Sequence, residues 1–127
     1  MDYLTHPVYY LEDNDIDDNG LIKKEYNPKN LPIFILIQST WCGHCKYAKP
    51  EFQKFAEKNK GKVLCFSIQA DANNENVKKL MSSQKMKKMC PDLMGFPTYV
   101  FQRNGKSFEY NSGRKEENLQ QFLNQNS

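Results

Sequence analysis

The chain has no apolar run approaching the length of a membrane-spanning helix, which argues against a helical membrane span, and no binding to membrane is expected. Its opening Met1-Asp2-Tyr3-Leu4-Thr5-His6 lacks the basic and apolar segments of a secretory signal, and Asn124-Gln125-Asn126-Ser127 is no retention tetrapeptide. The expectation is a protein without an export address. It would act in the cytoplasm, or in the viral particle if the source is a large DNA virus. An excess of one charge is also missing. Eighteen Lys and Arg against 15 Asp and Glu leave +3, too dispersed to argue for nucleic acid. Cysteine is scarce: of four, only Cys42 and Cys45 are closely spaced, and the second ligand pair of a structural zinc site is absent. Neither a metal nor a cofactor is expected. Arg, Gly and Ala are few beside Lys, Asn, Ile and Tyr, a bias of AT-rich genomes such as those of protists, low-GC bacteria and large DNA viruses.

What is present suits one folded domain. The 127 residues include eight Phe and seven Tyr, enough for a packed interior without cross-links. Val8 to Leu11 is a short strand candidate, and Asn19-Gly20 marks a tight turn in the acidic stretch Asp13 to Gly20. Asp15-x-Asp17-x-Asn19-Gly20 opens like a calcium loop. Position twelve is Tyr26, however, with Glu25 one place early, so the stretch reads as an ordinary polar turn. Ile33 to Ile37 is a strand buried on both faces. A helix follows from about Cys42 to Lys60, with Ala48, Phe52, Phe55 and Ala56 at helical spacing, a kink at Pro50 and a stop at Gly61. Val63 to Ile68 is a second buried strand, and Glu75 to about Gln84 a second helix. Thr98 to Gln102 and Ser107 to Tyr110 flank Asn104-Gly105 as a hairpin, and Arg114 to about Asn124 closes the chain as a helix with Leu119, Phe122 and Leu123 inward.

Cys42 and Cys45 carry the chemistry. Disulfide exchange needs a thiolate, and a helix start supplies unsatisfied N–H groups and a positive dipole end to a sulfur placed there, with His44 adding positive charge. Cys42 is then the nucleophile. Cys45, one helical turn on, can attack a mixed disulfide on Cys42 and release the product.

Trp41-Cys42-Gly43-His44-Cys45-Lys46 resembles the active site of the protein disulfide isomerases, within the thioredoxin superfamily, and the resemblance extends from about Leu31 to Leu123. It implies a thioredoxin-like α/β fold, a mixed central sheet flanked by helices, with an extra N-terminal strand. Residues 1–30 would add that strand and the acidic turn to the same domain, and residues 31–127 would be the thioredoxin-like part. Gly95-Phe96-Pro97-Thr98 is similar to the family's cis-proline loop, which implies that Pro97 faces the cysteines, with Phe96 and Trp41 beside it, where an extended substrate pairs. Tyr110-Asn111-Ser112-Gly113-Arg114 resembles the segment whose arginine swings toward the second cysteine, though Arg114 also suits a solvated helix start. The implied activity is thiol–disulfide exchange with protein or peptide thiols and disulfides, by a monomer served by a reductase or oxidase.

The chain departs from the pattern in two places. Six residues before the first cysteine the family carries a buried acid, and here stands Leu36; its lysine partner aligns with Ser67. Losing both is coherent, since losing one would strand a buried charge. Slower completion at Cys45 is expected, with protons handled by water, His44 or the substrate. The stretch Gln84 to Met94 is longer than its counterpart and rich in Lys and Met. It reads as a core-facing methionine stripe with a solvated lysine face, or as a border of the substrate groove. Cys65 is expected in the core and Cys90 as an unreactive thiol or a third redox group. Beside the isomerase reading stand a cytosolic thioredoxin-like reductant and a peptide-binding module with vestigial exchange.

Overall fold

The computed structural model describes residues 3–126; Met1, Asp2 and Ser127, at the outer ends of the two expected segments, lie outside the described residues. Among the described residues, nine strands and α-helices follow one another, with two short 3-10 turns between the first two strands: β1 (Val8–Tyr10), β2 (Ile33–Gln38), α1 (Gly43–Lys58), β3 (Leu64–Gln69), α2 (Glu75–Met81), α3 (Gln84–Met89), β4 (Thr98–Arg103), β5 (Lys106–Tyr110) and α4 (Glu116–Asn126). The strands form one mixed sheet in the order β1-β3-β2-β4-β5. β1 and β2 run parallel to β3, while β4 pairs antiparallel with β2 and β5 with β4.

β2 lies in the middle with all six residues buried, so its alternating side chains build two cores. Phe34 and Leu36 face α1 and α4 and meet Ala48, Phe52, Phe55, Leu119 and Leu123. The Phe34 ring lies edge-on to Phe55, Phe101, Tyr110 and Phe122, with centroids 5.0–5.9 Å away. Ile33, Ile35 and Ile37 face the other side, against Val77, Leu80, Met86 and Met89 and against Leu11, Ile16 and Ile22 of the N-terminal segment. β1 joins the edge of β3, and Leu4 and Val8 enter the α1 core.

Two elements differ from expectation. The helix expected over Glu75 to Gln84 ends at Met81, and a separate α3 begins at Gln84. Ser82 and Ser83 divide them: both hydroxyls donate back to carbonyls of the preceding turn, and Ser83 is extended. The last helix starts at Glu116, leaving Arg114 in the loop before it, where Glu116 N donates to Glu51 Oε1 at 2.7 Å. α3 also resolves the Lys and Met stretch. Met86 and Met89 are buried, Lys87 and Lys88 are exposed, and Lys85 donates to the backbone carbonyl and carboxylate of Asp13 at 3.0 and 3.2 Å. α3 therefore holds the acidic turn, while Met94 at the end of the stretch is exposed just before the Phe96–Pro97 loop. In that turn, Asp17 Oδ1 accepts from the N–H groups of Asn19 and Leu21, and Asp15 accepts from Glu12 N and the Tyr26 hydroxyl.

Gly20 fixes how closely the turn seats on α3. It has φ +80°, and a Cβ there would stand 2.5 Å from Met89 N and 2.9 Å from Lys85 O, both backbone atoms that cannot swing aside. Gly20→Ala is expected to lower unfolding stability by about 2 kcal/mol or more, read as a shift in urea midpoint at constant m-value.

Candidate functional site

The end of β2 and the start of α1 create the site. After Gln38 the chain leaves the sheet through Ser39 and Thr40, and Thr40 is held by its N–H and hydroxyl donating to the Asp71 carboxylate beyond the end of β3. Cys42 is the N-cap of α1, extended at φ −86°, ψ 116°, and its sulfur accepts from Cys45 N at 3.3 Å. This is the capping role a serine oxygen would fill, performed here by sulfur. The Cys42 thiol donates to the Phe96 carbonyl at 3.3 Å. The Phe96–Pro97 bond is cis, as the loop's resemblance implied, and Pro97 is buried.

Trp41 covers the other side. It is 73% exposed, with its ring edge-on to Phe96 at 5.9 Å. Trp41, Cys42, Cys45, Phe96 and Pro97 are thus brought together. Gly43 and His44 are exposed on the first turn of α1, and nothing lies within 4 Å of where a Cβ on Gly43 would project. Arg114 is exposed and bonds to neither sulfur among the described residues. It borders two clefts: one of about 490 Å³ with Pro97, Thr98, Tyr99 and Tyr110, and one of about 330 Å³ with His44, Pro50 and Glu51.

The two cysteines have different surroundings. Cys42 is half-buried at the surface, whereas Cys45 is completely buried. Burial first, then the hydrogen bond with the Cys42 sulfur, pushes the Cys45 thiol up to about 11, while the Ser39 backbone and the Lys49 charge pull the other way. The two remaining thiols lie in the two cores, Cys65 beneath α1 and Cys90 beside Met89, and burial pushes both up.

Leu36 and Ser67 are register partners, and the Ser67 hydroxyl donates to the Leu36 carbonyl at 2.8 Å. The place of the missing acid and lysine is therefore neutral. Around it are polar groups that the sequence reading did not single out. Gln38 Oε1, Ser39 Oγ and Tyr99 Oη are buried without a protein partner, and Lys49 on α1 is 5% exposed. Tyr99 pairs directly across from Leu36. Its only sequence signal was a polar atom in an apolar strand, and that of Lys49 was a lysine four residues after Cys45, on the buried side of the helix.

The thioredoxin family model matches residues 18–125. The chain belongs to the thioredoxin family. It is 44% identical over 119 residues to the thioredoxin-like protein 453L of Invertebrate iridescent virus 6, covering 84% of this chain and 83% of that one. It is 35% identical over 95 residues to the protein disulfide-isomerase of Hordeum vulgare, 71% of this chain but 17% of the isomerase. Among solved structures, chloroplastic thioredoxin z superposes with a TM-score of 0.65 at 15% identity, covering 97% of this chain and 96% of that one, a likeness of fold. A thioredoxin domain with the Cys42 and Cys45 pair makes the chain a thiol–disulfide oxidoreductase acting on protein thiols. No helix among the described residues is long and apolar enough to cross a membrane.

The unequal burial of the thiols has a direct readout. Alkylation of the reduced protein with iodoacetamide at pH 8 is expected to give one adduct, on Cys42. A second, on Cys45, is expected only as the pH nears about 11, both located by peptide mass spectrometry.

Proposed function

We propose that the protein oxidises and rearranges disulfides in protein substrates in the manner of an isomerase domain, with Cys42 as the attacking sulfur and Cys45 as the resolving one. The observation that carries this is the Cys42 sulfur, half-buried at the N-cap of α1 and facing the Phe96–Pro97 loop at 3.3 Å. A substrate disulfide meets Cys42 first, and an extended substrate strand lies along Phe96 and Pro97 with Trp41 as an exposed apolar wall. Buried Cys45 is shielded from other thiols and reaches only the sulfur one turn before it. Gly43-His44 between the cysteines, the pair of the isomerases the motif resembles, supports the oxidising direction.

In this reading Arg114, on the loop before α4, approaches the cysteines only when the loop moves. The protein acts as a monomer and as one folding unit including residues 1–30, which is supported by β1 in the sheet and Leu4 and Val8 in the core. The likeness to an iridescent-virus protein supports a large DNA virus as source, and with it action in the cytoplasm of an infected cell or in the particle.

Insulin reduction by dithiothreitol is expected to be accelerated by the protein. Cys42→Ser should lose at least about a hundredfold of that acceleration, and Cys45→Ala should trap a mixed disulfide on Cys42. The reduction potential, measured against glutathione, is expected nearer about −180 mV than about −270 mV. A value at the lower end would favour the reductant over the isomerase.

A further inference from the structure

Cys45 is fully buried and must lose a proton to attack, yet no carboxylate lies beneath it: Leu36 and Ser67 occupy that place. The same region holds a lysine that packing alone does not explain. Lys49 is four residues beyond Cys45 on α1, on the same helix face, and lysines are rarely buried to this extent. Side chains on a helix lean toward its N-terminus, which for Lys49 is the direction of the Cys45 turn, and the Lys49 charge is felt at that thiol. Among the described residues the ion pairs are made by Lys58, Lys78, Lys79 and Lys85, so the Lys49 ammonium has no carboxylate at ion-pair distance. Lys49 buries its stem against the core and lines a cleft open to water, so its charge needs no permanent anion, and that charge is felt at Cys45.

We infer that Lys49 is a positioning residue for the resolving step, its charge stabilising the thiolate of Cys45 in place of the buried acid the chain lacks. The inference rests on Cys45 being the resolving thiol.

In that step the Cys45 thiol gives its proton to water and its sulfur attacks Cys42 Sγ of the mixed disulfide. The bond from Cys42 to the substrate sulfur breaks as the Cys42–Cys45 bond forms. The substrate sulfur leaves with the electron pair of the broken bond and takes up a proton. The cysteine pair is oxidised by the two electrons that reduce the substrate disulfide. Lys49 also lines a cleft of about 270 Å³ with Leu4, Thr5 and Gln53, which lets water approach this side of α1.

The other groups near this pair fit an electrostatic role. From α1, Cys42 bonds Cys45 N and opposes its ionisation. From β4, Tyr99 offers an unpartnered hydroxyl, itself facing Arg114, Tyr110 and Glu51, and burial keeps that phenol protonated. Asp71 also feels the Lys49 charge, but it is exposed and held by Thr40. Tyr10 of β1 lies near Gln38 and is likewise pushed up by burial. Lys49 is therefore the cation on this side of the pair, and among the described residues no acid is felt at Cys45.

The test uses the full chain carrying glutathione as a mixed disulfide on Cys42, with release of glutathione followed from pH 6 to 10. Cys45→Ala should release none; if it releases glutathione as the wild type does, the assignment of Cys45 fails, and this inference with it. Given that control, Lys49→Met and Lys49→Gln are expected to release glutathione about tenfold more slowly at pH 7, with the pH midpoint raised by about one unit. Lys49→Arg should stay within about twofold of wild type. Thermal melts keep the reading clean, since Met replaces the buried stem of Lys49 with an apolar side chain of similar length and should leave the melting temperature close to that of the wild type. A wild-type rate and midpoint in either uncharged variant overturns the inference, and so does an Arg variant as slow as the Met variant.

Discussion

Withdrawal of β2 from water on both faces is the constraint on which the rest of the structure depends. Ile33 to Gln38 lie between β3 and β4, so the strand's backbone groups are paired on either side and its side chains alternate between two cores. Burying Phe34 and Leu36 requires α1 and α4 on one side, and burying Ile33, Ile35 and Ile37 requires α2, α3 and the N-terminal segment on the other. Because α1 must pack on the strand it follows, its first turn falls at the strand's end. The same pairing brings the start of β4, and Pro97 just before it, alongside. The cysteine pair and the cis-proline loop meet because β2 and β4 pair antiparallel, which sets the end of one beside the start of the other.

That arrangement separates two sulfurs only three residues apart. The N-cap position leaves Cys42 half in solvent, while the helix turn carries Cys45 against the sheet. In the proposed exchange this difference in accessibility sets the order: the outer sulfur meets the substrate and the inner one meets only the outer. The cost is that the inner thiol resists ionisation, and the usual carboxylate remedy is absent here. Orphaned oxygens on Gln38, Ser39 and Tyr99, together with Lys49, make the neighbourhood of Cys45 polar without making it acidic. The compartment has kept its electrostatic task and changed the residues that perform it.

Much of this was legible along the chain because it depends on local order. The β-branched run of β2, the helical spacing of Ala48, Phe52 and Phe55, the turn at Asn104-Gly105 and the C-x-x-C at a helix start are short-range signals. Each is written in a few consecutive residues. The division of α2 from α3 was not visible, because it turns on which carbonyls the Ser82 and Ser83 hydroxyls choose. Nor was the seating of the acidic turn on α3, where Asp13 reaches Lys85 across 72 residues. Lys49 and Tyr99 looked like ordinary helix and strand residues until the register set Tyr99 opposite Leu36 and the helix face set Lys49 inward.

The sequence by itself determined the kind of chemistry, since two thiols three residues apart at the start of a helix can form and break a disulfide whatever surrounds them. It also determined that the customary buried acid would be missing, because Leu36 holds that place in any packing. Only the tertiary structure decided which sulfur faces the solvent, what stands against each, and which distant side chains surround the inner thiol. Those depend on burial and on charges brought close by strand register and helix packing, quantities that exist only after the chain has closed on itself.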